Sequence, residues 1–77
     1  MGDLDDSRPK WVQIFEILSA RIADGTYAPD TRIPTTLELQ GEFGVANATA
    51  QKVYRRLRED GLIRTEPGMG SYVKRQA

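Results

Sequence analysis

The stretch GVANATAQKVYRRLREDG, residues 44–61, has two halves of different chemistry. Its first half offers short polar side chains without charge, at Asn47, Thr49 and Gln51. Its second half is cationic, beginning with Lys52 and continuing with arginines. A helix built in this way would carry hydrogen-bonding groups at its tip and positive charge along its shaft. The tip would suit hydrogen bonds, and the shaft would suit ionic contacts.

The apolar residues of this stretch predict the helix. They recur at the i, i+3, i+4, i+7 spacing that places side chains on one face, so they should face the core. Gly61 is suited to end the helix, since glycine adopts left-handed backbone conformations without strain. The predicted core face is Ala50, Val53, Tyr54 and Leu57; Asn47, Gln51 and Arg55 lie opposite, with Ala48 and Lys52 beside them.

An earlier helix is predicted from about Pro9 to Asp24. Proline suits a first helical turn, and Ser7 or Arg8 would lie in the capping region. Gly25 is placed to end this helix in a left-handed conformation. Its apolar stripe, which we interpret as core, consists of Trp11, Ile14, Phe15, Leu18 and Ile22.

A short helix is predicted between these two. Thr35 and Glu38 stand three residues apart and fit a capping box, which marks a helix start. Gly44 would end this helix, and Arg32 with Ile33 would form a very short strand before it. The apolar residues on this helix are Leu37, Leu39 and Phe43.

The C-terminal part predicts a β-hairpin. LIRTE at 62–66 and SYVK at 71–74 alternate as strands do, and PGMG at 67–70 is typical of a glycine-rich turn. The order helix, short strand, helix, helix, hairpin predicts a mainly α fold with a small β-hairpin, the winged helix-turn-helix.

We expect this winged helix to occupy residues 8–74. Residues 1–7 would be a flexible acidic tail, because they are acidic and lack periodicity. Residues 75–77 would form a second short tail.

Composition excludes several functions. A chain of 77 residues makes one small domain. It has no cysteine and no histidine, which excludes disulfides and thiolate metal sites and removes the commonest general base. No paired carboxylates in an apolar setting can be identified, so we predict neither an enzyme nor a cofactor. No signal peptide or membrane span is evident, and we expect a cytoplasmic protein without a membrane partner.

Charge is unevenly distributed although the net charge is zero. Residues 1–43 carry four basic and eight acidic side chains, a balance of −4, whereas residues 44–77 carry seven basic and three acidic, a balance of +4. This asymmetry fits a polyanionic partner for one face and fits accidental clustering on a solvated surface equally well.

The helix at 44–61 has the residue types of a DNA-recognition helix. The amides of Asn47 and Gln51 suit adenine edges, and Lys52 and Arg55 suit phosphates. Asn47 is equally well interpreted as a helix N-cap, because Ala46 has no capping side chain. The Thr49 hydroxyl has a local hydrogen bond as its alternative role. Solvated surface is the favoured interpretation of two further arginines, Arg56 and Arg58, with a phosphate contact as the alternative for Arg56.

The segment EPGMG, residues 66–70, offers backbone amides that lack large neighbouring side chains. It could approach DNA closely at a minor groove or phosphate. The alternative is an ordinary hairpin turn. A nucleotide-binding phosphate loop is excluded, because no helix follows it.

In its ordered motifs the chain resembles the DNA-binding domain of the GntR family of bacterial transcription regulators. The resemblance rests on PKWVQI at 9–14, RIPTTLEL at 32–39, EFGV at 42–45, LREDGLI at 57–63 and GMGSYV at 68–73. It implies a winged helix on operator DNA, with the third helix in the major groove and the wing beside it.

Against the family pattern, three frequent arginines are replaced. Family members often have Ser-Arg where this chain has Ala46 and Asn47, and Arg where it has Leu37 and Gln51. The resemblance therefore does not imply a family-typical operator. Thr49 and Gly70 match the family.

The resulting prediction is a sequence-specific transcription regulator that binds double-stranded DNA. The rival prediction is a winged helix that binds another protein.

Family members normally continue into a ligand-binding and dimerising domain. Without it we expect a monomer or weak dimer that pairs on a palindromic site, and both a fragment and a stand-alone regulator remain open. The predicted DNA-binding residues are Thr35, Asn47, Ala48, Thr49, Gln51, Lys52, Arg55, Gly68, Met69 and Gly70.

Overall fold

Three helices precede a two-stranded antiparallel hairpin in the computed structural model, which describes residues 7–66 and 70–75. This confirms the predicted winged helix-turn-helix order. The acidic tail lies outside the described residues except for Ser7, as do residues 67–69 of the hairpin turn and the last two residues. The elements are α1 (Lys10–Ala23), α2 (Thr36–Phe43), α3 (Asn47–Glu59), β1 (Ile63–Glu66) and β2 (Gly70–Val73).

Helix α1 lies one residue inside its predicted limits at each end. Pro9 is the N-cap residue and makes no side-chain capping bond, and Ser7 and Arg8 precede it directly. The Gln13 amide instead donates to the carbonyl of Arg8 at 3.0 Å. Gly25 follows the helix with φ 87°, as predicted for a left-handed ending.

Helix α2 begins with the predicted capping box. The Glu38 amide N–H donates to the Thr35 hydroxyl at 3.1 Å, and the Thr35 N–H donates to the Glu38 carboxylate at 2.8 Å. Gly44 ends the helix at φ 64°. Both ends are therefore satisfied locally, which explains how eight residues form a defined helix.

The core lies where α1, α2 and α3 meet the hairpin. Leu37 is the exception among the apolar residues of α2, because 74% of it is exposed. Trp11 and Phe15 are half-buried at the edge of the core. The buried apolar residues are Ile14, Leu18, Ile22, Ile33, Leu39, Phe43, Ala50, Val53, Tyr54, Leu57, Ile63 and Val73.

The segment between α1 and α2 is attached to the hairpin. Ile63 pairs with Val73 at the hairpin base, and Arg32 forms an isolated bridge with Tyr72 on the outer side of β2. The Ile33 N–H donates to the carbonyl of Ser71 at 3.0 Å. The very short strand predicted at Arg32–Ile33 is thus present as a bridge, and it fixes the hairpin relative to the helices.

A cation connects α1 to α2. The guanidinium of Arg21 donates to the Glu42 carboxylate and to the Tyr27 hydroxyl, each at 2.7 Å. It also lies 5.9 Å from the centroid of the Phe43 ring. The hydrogen bonds to Glu42 and Tyr27 raise the pKa of Arg21, so the guanidinium keeps its charge.

Candidate nucleic-acid interface

Helix α3 packs as its spacing predicts. Ala50, Val53 and Leu57 are fully buried, and Tyr54 is 6% exposed. Because these four side chains fix the rotation of the helix, Gln51, Lys52, Arg55 and Arg58 are exposed. The polar residues of the stretch are therefore available to a ligand.

The start of α3 differs from one interpretation of the sequence. Ala46 is the N-cap residue and makes no side-chain capping bond, so the interpretation of Asn47 as N-cap is wrong. Asn47 is the first helical residue, and its Oδ1 accepts a hydrogen bond from Gln40 Nε2 at 3.2 Å. Asn47 is exposed at the helix tip, and this bond does not use its side-chain NH2 group, whose base contact stays a prediction.

Thr49 and Ala48 also lie in the first turn of α3. Ala48 is exposed, and Thr49 is half-buried. The Thr49 hydroxyl makes no hydrogen bond to any described residue, so the local bond offered as its alternative role is not formed there. The Thr49 backbone N–H donates to the carbonyl of Ala46 at 3.1 Å. A contact from either side chain to DNA is a prediction that the structure leaves open.

A cleft of about 380 Å³ separates α3 from the hairpin. It brings together four predicted site residues, namely Gln51 and Arg55 from α3, Thr35 from the start of α2 and Gly70 from β2. Its described lining contains no carboxylate. The two other wing residues predicted to contact DNA, Gly68 and Met69, lie outside the described residues.

The cleft also holds two cations outside the predicted site, Arg32 and Arg58. Arg58 was interpreted as solvated surface, although it follows Arg55 by three residues and so shares its face. No sequence pattern near Arg32 marks it as a site residue, because its position depends on the bridge to Tyr72.

The arginines outside the cleft are each paired with a carboxylate. Five of the eight make ion pairs, namely Arg8, Arg21, Arg56, Arg64 and Arg75. Arg32, Arg55 and Arg58 make none with any residue in 7–66 or 70–75, and all three line the cleft. The uncompensated guanidinium groups of the described chain therefore converge on one surface.

A different environment surrounds the cations on the α1 side of α3. Lys52 Nζ lies 4.9 Å from the centroid of the Trp11 ring, and the Arg56 guanidinium lies 5.5 Å from that of Phe15. Arg56 also pairs with Asp60 at 3.1 Å. Lys52 and Arg55, which the sequence placed in one phosphate-binding group, thus lie on different sides of α3.

Tyr54 lines the floor of the cleft. Its hydroxyl oxygen is buried and has no hydrogen-bond partner among the described residues. Burial raises the pKa of Tyr54, and the nearby Glu38 carboxylate raises it further. The phenol is therefore neutral at physiological pH and adds no negative charge to the cleft.

Two helices joined by a glycine-containing turn, followed by a hairpin beside the second helix, define a winged helix-turn-helix protein. The model of bacterial regulatory proteins of the gntR family matches residues 10–73. The chain belongs to this family. In the part of the chain that the structure describes, no helix has the length and apolar composition needed to cross a membrane.

Two curated relatives are named repressors. The chain is 35% identical over 69 residues to the mannosyl-D-glycerate transport/metabolism system repressor MngR of Escherichia coli (strain K12), covering 90% of this chain and 29% of that protein. It is 30% identical over 67 residues to the transcriptional repressor NagR of Bacillus subtilis (strain 168), covering 87% and 28%. The chain therefore spans less than a third of the length of either relative.

Solved structures share the fold. A GntR family transcriptional regulator from Listeria monocytogenes superposes with a TM-score of 0.89 at 32% identity, covering 95% of this chain and 64% of that chain. The DNA-binding domain of AraR in complex with operator ORR3 superposes with a TM-score of 0.81 at 36% identity, covering 95% and 90%.

Proposed function

We propose that this chain binds double-stranded DNA sequence-specifically as the DNA-binding part of a bacterial transcription regulator. The observation that carries the proposal is the exposed face of α3, which joins uncharged amides at its tip to arginines at the cleft that have no carboxylate partner in the described part of the chain. The AraR domain, which has the same fold, was solved on operator DNA, and this supports the same type of ligand.

The mechanism divides α3 between two tasks. Its N-terminal turn enters the major groove, where the amides of Asn47 and Gln51 donate to and accept from base edges. Arg55 contacts a phosphate, and Lys52 contacts another from the α1 side of the helix. The hairpin lies alongside, with Gly70 close to the sugar-phosphate backbone.

The broader role follows from this mechanism. The chain works without chemical catalysis, in the cytoplasm where bacterial DNA lies, and needs no cofactor to bind DNA. One copy binds one half-site, and two copies pair on a palindromic site about one helical turn apart. We assign residues 8–74 to the DNA-binding unit.

Selection of bound sites from random duplex DNA tests the proposal. We expect one enriched motif, and affinity for it should fall steeply as salt rises because phosphate contacts release counterions. Absence of duplex binding even at low salt would contradict the proposal and favour the rival role as a protein-binding winged helix.

A further inference from the structure

The three arginines that make no ion pair among the described residues reach one cleft from two separate parts of the chain. Arg55 and Arg58 come from α3, and Arg32 comes from the segment between α1 and α2. Like charges that gather without a counterion repel one another in the free protein. An arrangement of this kind is stabilised when an anion binds among them.

The position of Arg32 is fixed by its neighbours. Its backbone bridges Tyr72, which holds the residue beside β2. Its side chain lies over Gly70, where a β-carbon would come within 3.0 Å of Arg32 Nε and 3.2 Å of Nη2. The missing side chain at Gly70 therefore leaves room for the Arg32 guanidinium at the hairpin side of the cleft.

A neighbouring carboxylate, that of Glu38, does not neutralise Arg32. Glu38 lines an adjoining recess together with Arg32. Its carboxylate is held by the Thr35 backbone N–H in the capping box at 2.8 Å, and it makes no ion pair with Arg32.

We propose that Arg32, Arg55 and Arg58 form one binding site for the phosphates of a single DNA strand running between α3 and the hairpin. Arginine suits this role, because its planar guanidinium donates to phosphate oxygens in a fixed fork. Arg32 and Arg58 are thereby assigned as DNA-binding residues, and Gly70 is a positioning residue that makes room for Arg32. The inference rests on the proposed DNA-binding function.

The zero net charge of the chain makes this site measurable. Because the protein as a whole has no excess positive charge, its attraction for duplex DNA should depend on a few local cations. Each phosphate contact contributes about 0.9 to the slope of log affinity against log salt. Loss of one contact weakens binding by roughly five- to tenfold at 0.1 M salt, if the contact acts only through counterion release.

The test is titration of a labelled 20-base-pair duplex of fixed sequence at several salt concentrations, with unfolding midpoints checked for every variant. Arg32→Ala and Arg58→Ala should each reduce the slope by about one, and the double variant by about two. Arg32→Gln should match Arg32→Ala, and Arg32→Lys should retain the slope because it retains the charge.

Arg56→Ala is the matched control, because Arg56 lies on the same helix but pairs with Asp60 and faces Phe15. It should leave the slope nearly unchanged. Equal slope losses for Arg56→Ala and Arg32→Ala would show a general charge effect and overturn the cleft site. A wild-type slope in the Arg32 and Arg58 variants would also overturn it, whereas failure of the wild type to bind would overturn the proposed function itself.

Discussion

The ammonium group of Lys52 lies 4.9 Å from the centroid of the Trp11 ring, on the side of α3 that faces α1. Arg55, three residues further along, lines the cleft on the hairpin side. Two cations that are close in sequence therefore point to two different surfaces of the same helix. On bound DNA, they would reach phosphates on separate strands or separate turns.

We predict that Lys52 and Arg55 each contact phosphate. Lys52→Ala and Arg55→Ala should each weaken specific and non-specific binding about equally and reduce the salt slope by roughly one. Because the two residues lie apart, their effects should add. Full retention of low-salt affinity in the double variant, measured by fluorescence titration, would contradict both assignments.

Leu57 should contribute heavily to stability. It is fully buried in the core, so Leu57→Ala should lower the free energy of unfolding by about 2–5 kcal/mol, a large share of the total for so small a domain. Leu37→Ala is the matched control, because Leu37 is 74% exposed, and it should change stability by about 0.5 kcal/mol or less. Thermal or urea unfolding measures both; similar effects at the two positions would refute this placement of the core.

Gln51 should carry sequence discrimination more than affinity. It is exposed and lines the cleft, so packing does not explain it, and it is uncharged, so it releases no counterions. A bidentate amide contact to adenine is worth about 1–3 kcal/mol against a wrong base. Gln51→Ala should relax preference at one base pair per half-site and leave non-specific affinity nearly unchanged.

The measurement for Gln51 compares all four base pairs at each operator position in wild type and variant. Arg55→Ala provides the contrast, because it should lower affinity for every sequence while preserving the preference profile. An unchanged profile in Gln51→Ala would make Gln51 an ordinary surface residue.

Asp30 should contribute stability that depends on pH. Its carboxylate accepts hydrogen bonds from Arg75 at 2.8 Å and from Arg64 at 3.2 Å, and these lower its pKa below the usual value. Because folding lowers this pKa, the ionised carboxylate stabilises the protein at pH values above the pKa of the group in the unfolded chain, near 4. This contribution is lost as the pH falls through the lower pKa of the folded protein. Both pairs are exposed, so the effect should be small.

Asp30→Asn tests this contribution without backbone strain, because Asn tolerates the positive φ of 66° found at this position. The variant should melt at a lower temperature than wild type at pH 7. The difference should shrink at acid pH, as the pH falls below the lowered pKa and Asp30 becomes protonated in the wild type too. A difference that is equal at pH 7 and at acid pH would exclude ionisation as its cause.

The free chain should be a monomer or a weak dimer. Leu37 is the one large apolar residue exposed in the described part of the chain, which is too little for a stable interface. Sedimentation equilibrium should give the monomer mass at micromolar concentrations, and two copies should assemble only on a palindromic duplex. A tight dimer without DNA would contradict this expectation.

The sequence alone determined the helices and their inner faces. The capping box at Thr35 and Glu38, the left-handed Gly44 and the spacing from Ala50 to Leu57 are local signals, because each depends on residues within about two helical turns. The amide-bearing tip and cationic shaft of α3 followed from the same spacing. Family membership followed from the ordered motifs along the chain.

Local spacing failed where a residue's role depends on distant partners. Asn47 had the side chain of an N-cap, yet the turn places Ala46 there and Gln40 bonds to Asn47. The packing of α2 against α3 thus decided between outcomes that the local sequence permitted.

The tertiary structure alone decided which cations are uncompensated. The sequence contains equal numbers of basic and acidic residues, and it does not show which of them meet. Arg75 is paired with Asp30, forty-five residues away, whereas Arg32 is carried to a cleft whose described lining has no carboxylate. Coulomb interactions depend on distance in space and not along the chain, so the anion-binding surface became visible only after the hairpin folded against α3.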